Sequence, residues 1–235
     1  MSKIAHILAL RSSTLPFDLA FGVRPMTPEL HDQILTAEAW IGPRPYLETD
    51  ASFLQIIPYV VVRNGSRVLS YRRGAASGEG RLAGKDSIGL GGHVDLADVV
   101  LEDKTIVEKG ETIPTGRIDV MRTVLIAAIR EIDEEAKIRI TQEMLDEDPG
   151  IITWSHVIQA VEQEADKVHI GIVATIHIDL IGGVEPSHFE DIIENAVFAE
   201  VADLAAGRTP SGDFLPETWT RLLLETMTAE EAVPA

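Results

Sequence analysis

An Asn-Gly pair between two β-prone runs constrains the fold of this 235-residue chain more than any other feature. The first run covers residues 53–62 and the second covers residues 67–71, with Asn64 and Gly65 between them. A type I′ turn needs positive φ at both central residues, and Asn-Gly adopts that conformation at low cost. The sequence therefore predicts a β-hairpin here.

Apolar residues further along the chain recur at helix and strand spacing in alternation. In residues 119–138 they fall on one stripe, which predicts an amphipathic helix. That stripe consists of Leu125, Ala128, Ile129 and Ile132. Residues 151–161 and 168–181 are strand-like, and further helices are predicted over residues 28–40, 189–204 and 217–227. Hairpin, helix, hairpin and helix in this order predict an α+β or α/β sandwich with a mixed sheet.

The same pattern divides the chain into three parts. Residues 1–50 are punctuated by five prolines and are interpreted as an N-terminal elaboration packed on the core, without chemistry of its own. Residues 51–205 form the main domain, and residues 206–235 form a C-terminal helix and tail. Within the main domain, a polar stretch near residues 99–122 is predicted to be an inserted loop or small hairpin.

Composition excludes several classes of function. The chain has 20 Lys and Arg against 38 Asp and Glu, a formal net charge of −18, which repels nucleic acid polymers and anionic membranes. It has no cysteine, so disulfides, thiolate zinc sites and cysteine nucleophiles are excluded. No apolar run reaches the roughly 20 residues of a membrane span, and the first ten residues do not form a secretory signal. We expect a cytoplasmic protein.

Three glutamates on the central predicted helix carry the strongest chemical signal. At about 100° per residue, Glu131, Glu134 and Glu135 fall within an arc of about 100°, beside the apolar stripe. Like charges at these spacings repel, and a hard divalent cation such as Mg²⁺ or Mn²⁺ would offset that repulsion. A solvated acidic face on a surface helix is the simpler alternative. The ordered string Arg-Glu-aliphatic-any-Glu-Glu, which begins at Arg130, favours a site.

This string resembles the second half of the Nudix box, in which Gly, five residues, Glu and seven residues precede Arg-Glu-aliphatic-any-Glu-Glu-any-Gly. The first half resembles residues 91–98, Gly-Gly-His-Val-Asp-Leu-Ala-Asp, with Asp98 at the position of the family's first Glu. The resemblance covers about residues 53–205. It implies a Nudix-like α/β/α sandwich with a mixed sheet, similar to a poorly characterised bacterial branch of predicted phosphoesterases, whose tail resembles residues 217–220.

Two departures from the box stand out. Between Asp98 and Arg130 lie 31 residues where the family has seven, an insertion of 24. Lys137 stands where the family has Gly, which weakens the helix C-cap because Gly adopts the left-handed conformation more cheaply than Lys. A competing register that starts at Gly116 keeps the spacing but places Arg122 at the Glu position, so we prefer the register that starts at Gly92.

The resemblance implies a hydrolase of a nucleoside diphosphate linked to another moiety, or of a related pyrophosphate. Glu131, Glu134 and Glu135 would hold Mg²⁺ or Mn²⁺, and the metal would activate the attacking water. Arg130 would orient these carboxylates by ion pairing. The family's general base varies, and we consider Glu194 first and Glu190 second. A non-catalytic Nudix-fold sensor for a nucleotide-like ligand is the alternative, and isomerisation of a diphosphate substrate is a third reading.

Candidate substrate-binding residues lie mostly in one basic stretch. Six of the 20 Lys and Arg residues lie in residues 63–85, with Glu79 as the only acid. Charged side chains and flexible backbone of this region could receive substrate phosphates, or could simply face solvent and form a tight turn. The candidates are Arg72, Arg73, Arg81, Lys85, Gly91, Gly92 and His93. Gly89 belongs to the same glycine cluster. His93 is interpreted as a loop residue that contacts substrate or backbone, since nothing at zinc-site spacing accompanies it.

The partner expected from these patterns is a small diphosphate-containing molecule. No Gly-x-Ser-x-Gly elbow and no Walker loop is present, so serine hydrolase and P-loop functions are excluded. The sequence does not distinguish a nucleotide sugar, a dinucleotide, a damaged nucleoside triphosphate and a non-nucleotide diphosphate. A homodimer is compatible with the sequence.

Overall fold

The computed structural model describes residues 4–15, 22–74, 82–108, 111–162, 166–182, 189–190 and 193–231. Its strands are β1 His6–Arg11, β2 Gly22–Pro25, β3 Ala39–Pro43, β4 Phe53–Asn64, β5 Arg67–Arg73, β6 Asp86–Ser87, β7 Gly89–Leu90, β8 Thr105–Glu108, β9 Glu111–Pro114, β10 Ile152–Gln159, β11 His169–His177, β12 Ile193–Glu200, β13 Arg208–Thr209 and β14 Gly212–Asp213. Its α-helices are α1 Pro28–Thr36, α2 Arg44–Leu47, α3 Val120–Ala136, α4 Gln142–Glu147, α5 Val201–Ala205 and α6 Thr218–Glu231.

One ten-stranded mixed sheet organises the fold. Its main order is β12-β5-β4-β11-β10-β2, with β1, β6 and β7 paired to β4 or β5 and β3 paired to β1. Strands β4 and β11 run parallel over nine residue pairs, whereas β4 and β5 are antiparallel. The mixed sheet of the predicted α/β sandwich is therefore confirmed.

Helices cover both faces of this sheet. Side chains of α3 pack on one face against alternate residues of β4, among them Ile56, Val60 and Val62. On the other face, Leu223 and Leu224 of α6 pack with Tyr59 and Val61. Because successive strand residues point to opposite faces, β4 is apolar on both sides and lies in the centre of the core.

The predicted hairpin is confirmed, but its turn is not the predicted one. Asn64 pairs with Arg67, so the two turn residues are Gly65 and Ser66. Gly65 has φ +60°, and Asn64 is not among the positive-φ residues of the described chain. Positive φ at the first central residue alone is the pattern of a type II′ turn. The hairpin signal lay in the glycine and the flanking runs rather than in the Asn-Gly pair.

Two other predictions differ from the structure. The helix expected over residues 189–204 is wrong, because β12 occupies Ile193–Glu200 and only α5 is helical there. Pairing of β12 with β5, across an irregularity between Glu194 and Val197, overrides the helical pattern of these residues. The described part of residues 1–50 also supplies strands to the sheet, since β1 pairs with β4 and β2 with β10.

The remaining helices and the insertion agree with expectation. Helices α1, α3 and α6 lie within or across the predicted ranges 28–40, 119–138 and 217–227. The polar insertion forms the β8–β9 hairpin, which makes its own two-stranded sheet. No described helix combines the length and the hydropathy needed to cross a bilayer.

Candidate active site

Helix α3 presents the glutamates and is defined at both ends by local interactions. The Asp119 side chain caps its N-terminus by accepting the Arg122 N–H at 3.1 Å. At its C-terminus, Lys137 adopts the left-handed conformation with φ 54° and ψ 31°. Its Nζ donates to the Glu134 carbonyl at 2.9 Å. Lys137 thus adopts a conformation that glycine would take at less cost, and the bond from its own ammonium group partly offsets that cost.

The Arg130 guanidinium joins the two halves of the motif. Its Nε and Nη2 donate to the two carboxylate oxygens of Asp98 at 3.0 and 2.9 Å, a bidentate pair. Asp98 is buried and also accepts the Asp95 N–H at 2.8 Å. Arg122, the residue at this position in the competing register, instead pairs with Asp103 in an exposed contact at 3.4 Å. The geometry agrees with the register that starts at Gly92.

The same guanidinium orients two of the three glutamates. Arg130 Nη1 donates to Glu131 at 2.8 Å and to Glu134 at 3.0 Å, and Nη2 donates to the His93 carbonyl at 3.1 Å. The pKa of Arg130 is raised, first by its hydrogen bonds to Asp98, with further contributions from the Glu131 charge. Arg130 therefore has the orienting contacts that the resemblance implied for it.

The two glycines of the loop let it approach these carboxylates. A Cβ on Gly92 would lie 2.6 Å from Glu131 Oε1, and the Gly91 N–H donates to Glu135 Oε2 at 3.1 Å. Gly91 has φ +146°, and a Cβ there would lie 1.9 Å from the Pro58 carbonyl oxygen. The loop thus needs glycine at position 91 to pack against β4, whereas a side chain at position 92 would displace the end of the Glu131 side chain.

Burial makes two of the carboxyl groups difficult to ionise. Desolvation and, after it, the Glu131 charge raise the pKa of Glu135 to about 7, against the lowering influence of Arg73 and the Gly91 N–H. The pKa of Glu131 is also raised by burial, against the lowering influence of Arg130. Glu134 is the exposed member, with 55% of its side chain accessible. The site is therefore rich in carboxylate oxygen and short of positive charge.

This donor set suits a hard divalent cation. Three carboxylates from one helix face supply the oxygen ligands that Mg²⁺ and Mn²⁺ prefer. In the described part of the chain no three His, Cys, Asp or Glu residues already converge as a metal site. Arg130 holds Glu131 and Glu134, as its 2.8 and 3.0 Å contacts show. The residues fit the metal by chemistry, and Glu131, Glu134 and Glu135 are those that would hold it.

The two candidates for the general base lie in different places. The Glu190 N–H donates to the Glu135 carbonyl at 3.1 Å, and the Glu190 charge contributes to the raised pKa of Glu135. Glu194 lies on β12 opposite Arg72 of β5 and contributes to the raised pKa of that arginine. The structure therefore places Glu190, the second choice, at the end of α3, whereas Glu194, the first choice, lies on β12 beside Arg72.

The two arginines predicted to bind phosphate are already paired within the chain. Arg72 Nε and Nη2 donate to the Asp86 carboxylate at 2.9 and 3.1 Å. Arg73 Nε donates to Glu217 at 3.1 Å, and this pair is largely buried. Lys85 is exposed on the segment between them and the loop, and Arg81 lies outside the described residues. Of the described basic candidates, Lys85 is the one whose position leaves it open to solvent.

His93 contacts side chains rather than backbone. Its Nε2 lies 3.0 Å from Gln55 Oε1 and 3.4 Å from His169 Nε2. Burial, with smaller contributions from Arg44 and His169, lowers the pKa of His93 to about 3. His93 is therefore a neutral imidazole, packed beside the loop that its own carbonyl ties to Arg130.

A buried polar cluster near the loop was not found by sequence reasoning. Glu217, Ser87, Tyr59 and Thr220 hydrogen-bond to one another between β4, β6 and α6. Ser87 and Glu217 are 130 residues apart in the sequence, so no local spacing of residues predicts their hydrogen bond. The only signal was the resemblance of residues 217–220 to a family tail.

Comparison with known proteins bears on the fold that carries this site. No family model matches the sequence. The protein YmaB of Bacillus subtilis (strain 168) is 30% identical over 145 residues, which make up 62% of this chain and 59% of YmaB. The match thus covers less than two thirds of YmaB. The crystal structure of Tm1382, provisionally classed as a Nudix hydrolase, has a TM-score of 0.64 at 18% identity and covers 96% of this chain and 99% of its own. The chain has the Nudix fold.

Proposed function

We propose that this protein is a Mg²⁺-dependent hydrolase of the Nudix type, which cleaves the diphosphate linkage of a small molecule. One observation carries the proposal. Arg130 joins Asp98 from the loop half of the motif to Glu131 and Glu134 from the helix half. A merely solvated acidic face has no need of a bidentate pair to a buried carboxylate 32 residues away.

Each residue of the site then has a role. Glu131, Glu134 and Glu135 hold the divalent cation, and Arg130 fixes the direction of the first two. A bound Mg²⁺ or Mn²⁺ supplies neutralisation of the diphosphate and a lowered pKa of the attacking water. Glu190, beside the end of α3, is the first choice for the residue that accepts the proton of that water, and Glu194 the second.

The substrate proposed is a nucleoside diphosphate linked to another moiety, or a related diphosphate. A net charge of −18 disfavours long polyanions, but a small diphosphate whose charge is neutralised by a metal avoids that repulsion. Lys85, exposed next to the strand that leads into the loop, is the described basic side chain best placed to meet a phosphate.

The experiment is a screen of product release with Mg²⁺ over nucleotide sugars, dinucleotides, damaged nucleoside triphosphates and non-nucleotide diphosphates. On any substrate that turns over, Glu134→Gln and Glu135→Gln are expected to lower kcat by at least about 100-fold. Asp133→Asn is the matched control, since Asp133 lies on the same helix and, within the described residues, forms its salt bridge with Arg139, at 3.5 Å, and not with Arg130. Full activity in both glutamine variants would show that the site assignment is wrong.

A sensor that binds a nucleotide-like ligand without cleaving it is the second candidate. The observations that favour it are the departures from the Nudix box: Asp98 where the family has Glu, Lys137 where it has Gly, and the insertion of 24 residues between Asp98 and Arg130. Calorimetry with the same compounds separates the two. Tight binding in Mg²⁺ with no product formed over hours would favour the sensor.

A further inference from the structure

The strand that leads into the Gly91–Gly92 loop is held by a segment more than 120 residues later in the chain. Asp86, the first residue of β6, donates its N–H to the Leu215 carbonyl at 2.9 Å and accepts the Glu217 N–H at 2.9 Å. Its carboxylate also accepts the Leu215 N–H at 2.5 Å. Residues 215–217 therefore pair with the start of the strand through both backbone and side chain.

The Glu217 carboxylate fixes the next residue. Its Oε1 accepts Ser87 Oγ at 2.6 Å and the Tyr59 hydroxyl at 3.3 Å, and its Oε2 accepts Arg73 Nε at 3.1 Å. Glu217 and Ser87 are both buried. A buried carboxylate that accepts three hydrogen bonds from three different strands is a rigid joint, because loss of any partner leaves charge unsatisfied away from water.

Thr220, in the first turn of α6, fixes the position of Ile88. Its Oγ1 accepts the Ile88 N–H at 3.2 Å and lies 2.7 Å from the Tyr59 hydroxyl. Ser87 Oγ in turn lies 3.2 Å from both the N and the O of Gly89. Three consecutive residues before the loop are thus tied to the first turn of α6 or to the residue that precedes it.

The loop that follows reaches the catalytic carboxylate. The Tyr71 hydroxyl donates to the Gly89 carbonyl at 2.7 Å, and two residues later the Gly91 N–H donates to Glu135 at 3.1 Å. The Arg73 guanidinium lies 5.8 Å from the centroid of the Tyr71 ring, and its charge lowers the pKa of Glu135. Arg73 therefore faces Glu217 on one side and the site on the other.

We infer that Glu217 is a positioning residue for the proposed hydrolase. Through Ser87 and Arg73 it sets the place of residues 87–91, and with them the Gly91 N–H that binds Glu135. The inference rests on the proposed function for its kinetic consequence only, since the positioning itself is a property of the fold. It also assigns Arg73 to the same joint rather than to substrate phosphate.

The experiment uses the full chain with Glu217→Gln, and with Glu225→Gln as the matched control. Glu225 lies on α6, which begins directly after Glu217; it is exposed and contacts Arg221 at 3.0 Å. Hydrogen exchange of residues 86–92 is expected to accelerate by about tenfold in Glu217→Gln and to stay unchanged in the control. On a substrate that the wild type turns over, kcat is expected to fall by about 10- to 100-fold, with KM changed by less than about threefold.

A second pair of variants keeps the inference testable if Glu217→Gln does not fold. Thr220→Val keeps the shape of the side chain but removes the acceptor of the Ile88 N–H, whereas Thr220→Ser retains a hydroxyl. Thr220→Val is expected to show the faster exchange and the lower kcat, and Thr220→Ser to restore both toward wild type. A residue that only stabilises the fold would give no such difference in kcat between two folded variants.

The outcomes separate this inference from the proposed function. Exchange at residues 86–92 that equals wild type in Glu217→Gln and Thr220→Val overturns the positioning, whether or not any substrate is turned over. Unchanged kcat in folded variants with faster exchange also overturns it. If the variants exchange faster than a wild type that cleaves no diphosphate, the positioning of the loop is supported and the proposed hydrolase function is wrong.

Discussion

Two arginine–carboxylate clusters lie on either side of the Gly91–Gly92 loop and differ in where their partners come from. Arg130 draws on Glu131 and Glu134 of its own helix and on Asp98, and 26% of its side chain is exposed. Arg73 has its partner Glu217 at a distance of 144 residues along the chain, and that carboxylate is 5% exposed.

The difference teaches which kind of interaction a sequence reveals. Carboxylates at helical spacing announce a shared face, because the geometry of a helix is fixed in advance. A pair that forms only when the last helix packs against the central sheet has no such rule. The glutamates of the site are therefore close together in the sequence, whereas the Arg73–Glu217 pair that supports the loop forms only when distant parts of the chain pack together.

The largest expected effect comes from breaking the buried cluster. Arg73→Gln leaves Glu217 without its cation in a site away from water, so the free energy of unfolding is expected to fall by about 3–5 kcal/mol. Arg130→Gln also leaves the buried Asp98 unpaired, but it is expected to cost less stability, because Arg130 is 26% exposed against 17% for Arg73, and water reaches its cluster beside the exposed Glu134. Urea denaturation of both variants makes the comparison. A larger loss of stability in Arg130→Gln than in Arg73→Gln would contradict the prediction that the Arg73 cluster contributes more to the fold.

A smaller effect tests how the Arg130 cluster joins the two halves of the motif. Asp98→Asn removes a charged acceptor of two guanidinium hydrogen bonds and is expected to lower the free energy of unfolding by about 1.5–3 kcal/mol. Arg122→Gln is the control for the competing register and is expected to change it by less than about 0.5 kcal/mol, as for other exposed pairs. Equal effects in the two variants would refute the register that starts at Gly92.

The pH dependence of stability tests whether the His93 side chain, next to the Arg130 cluster, is buried away from water. The pKa of His93 lies at about 3 in the folded protein, with Gln55, His169 and Arg44 around it, whereas a histidine in the unfolded chain has a pKa near 6.5. Because the folded pKa is lower, the unfolded state binds the proton first, and stability is lost as pH falls below about 6.5.

The slope of that loss is the measurable quantity. His93 is expected to contribute about 1.4 kcal/mol per pH unit between pH 6 and pH 4, and His93→Gln is expected to remove this contribution. Thermal denaturation of both proteins across that pH range gives the difference. His6, which is exposed at a strand end, supplies the control variant His6→Gln. A His93→Gln protein that keeps the wild-type slope would contradict the burial of His93.

The smallest effect concerns the end of α3. Lys137→Gly relieves a left-handed conformation at φ 54° but loses the bond from Nζ to the Glu134 carbonyl. The free energy of unfolding is expected to rise by about 0.5 kcal/mol, since glycine adopts this conformation without steric cost. Chemical denaturation is the measurement, and a loss of stability would show that the ammonium contact outweighs the strain.

Most of the fold that carries the site could be predicted from the sequence. The hairpin, α3 and the pairing of β10 with β11 follow from periodicity, and the place of the glutamates follows from helix geometry. The strand β12 could not be predicted, because its pattern is ambiguous until β5 provides a partner. Nothing in the sequence indicates that Arg72 pairs with Asp86 and Arg73 with Glu217. A count of charges in one stretch contains no information about which distant carboxylates pack against it.

The central claim is that the glutamate face of α3 holds a divalent cation. Electron paramagnetic resonance of Mn²⁺ titrated into the protein tests it most directly, with Glu131→Gln, Glu135→Gln and the Asp133→Asn control measured side by side. We expect bound Mn²⁺ in the wild type and in Asp133→Asn, and at least about tenfold weaker binding in both glutamate variants. Equal Mn²⁺ binding in all four proteins, or none in the wild type, would contradict the account.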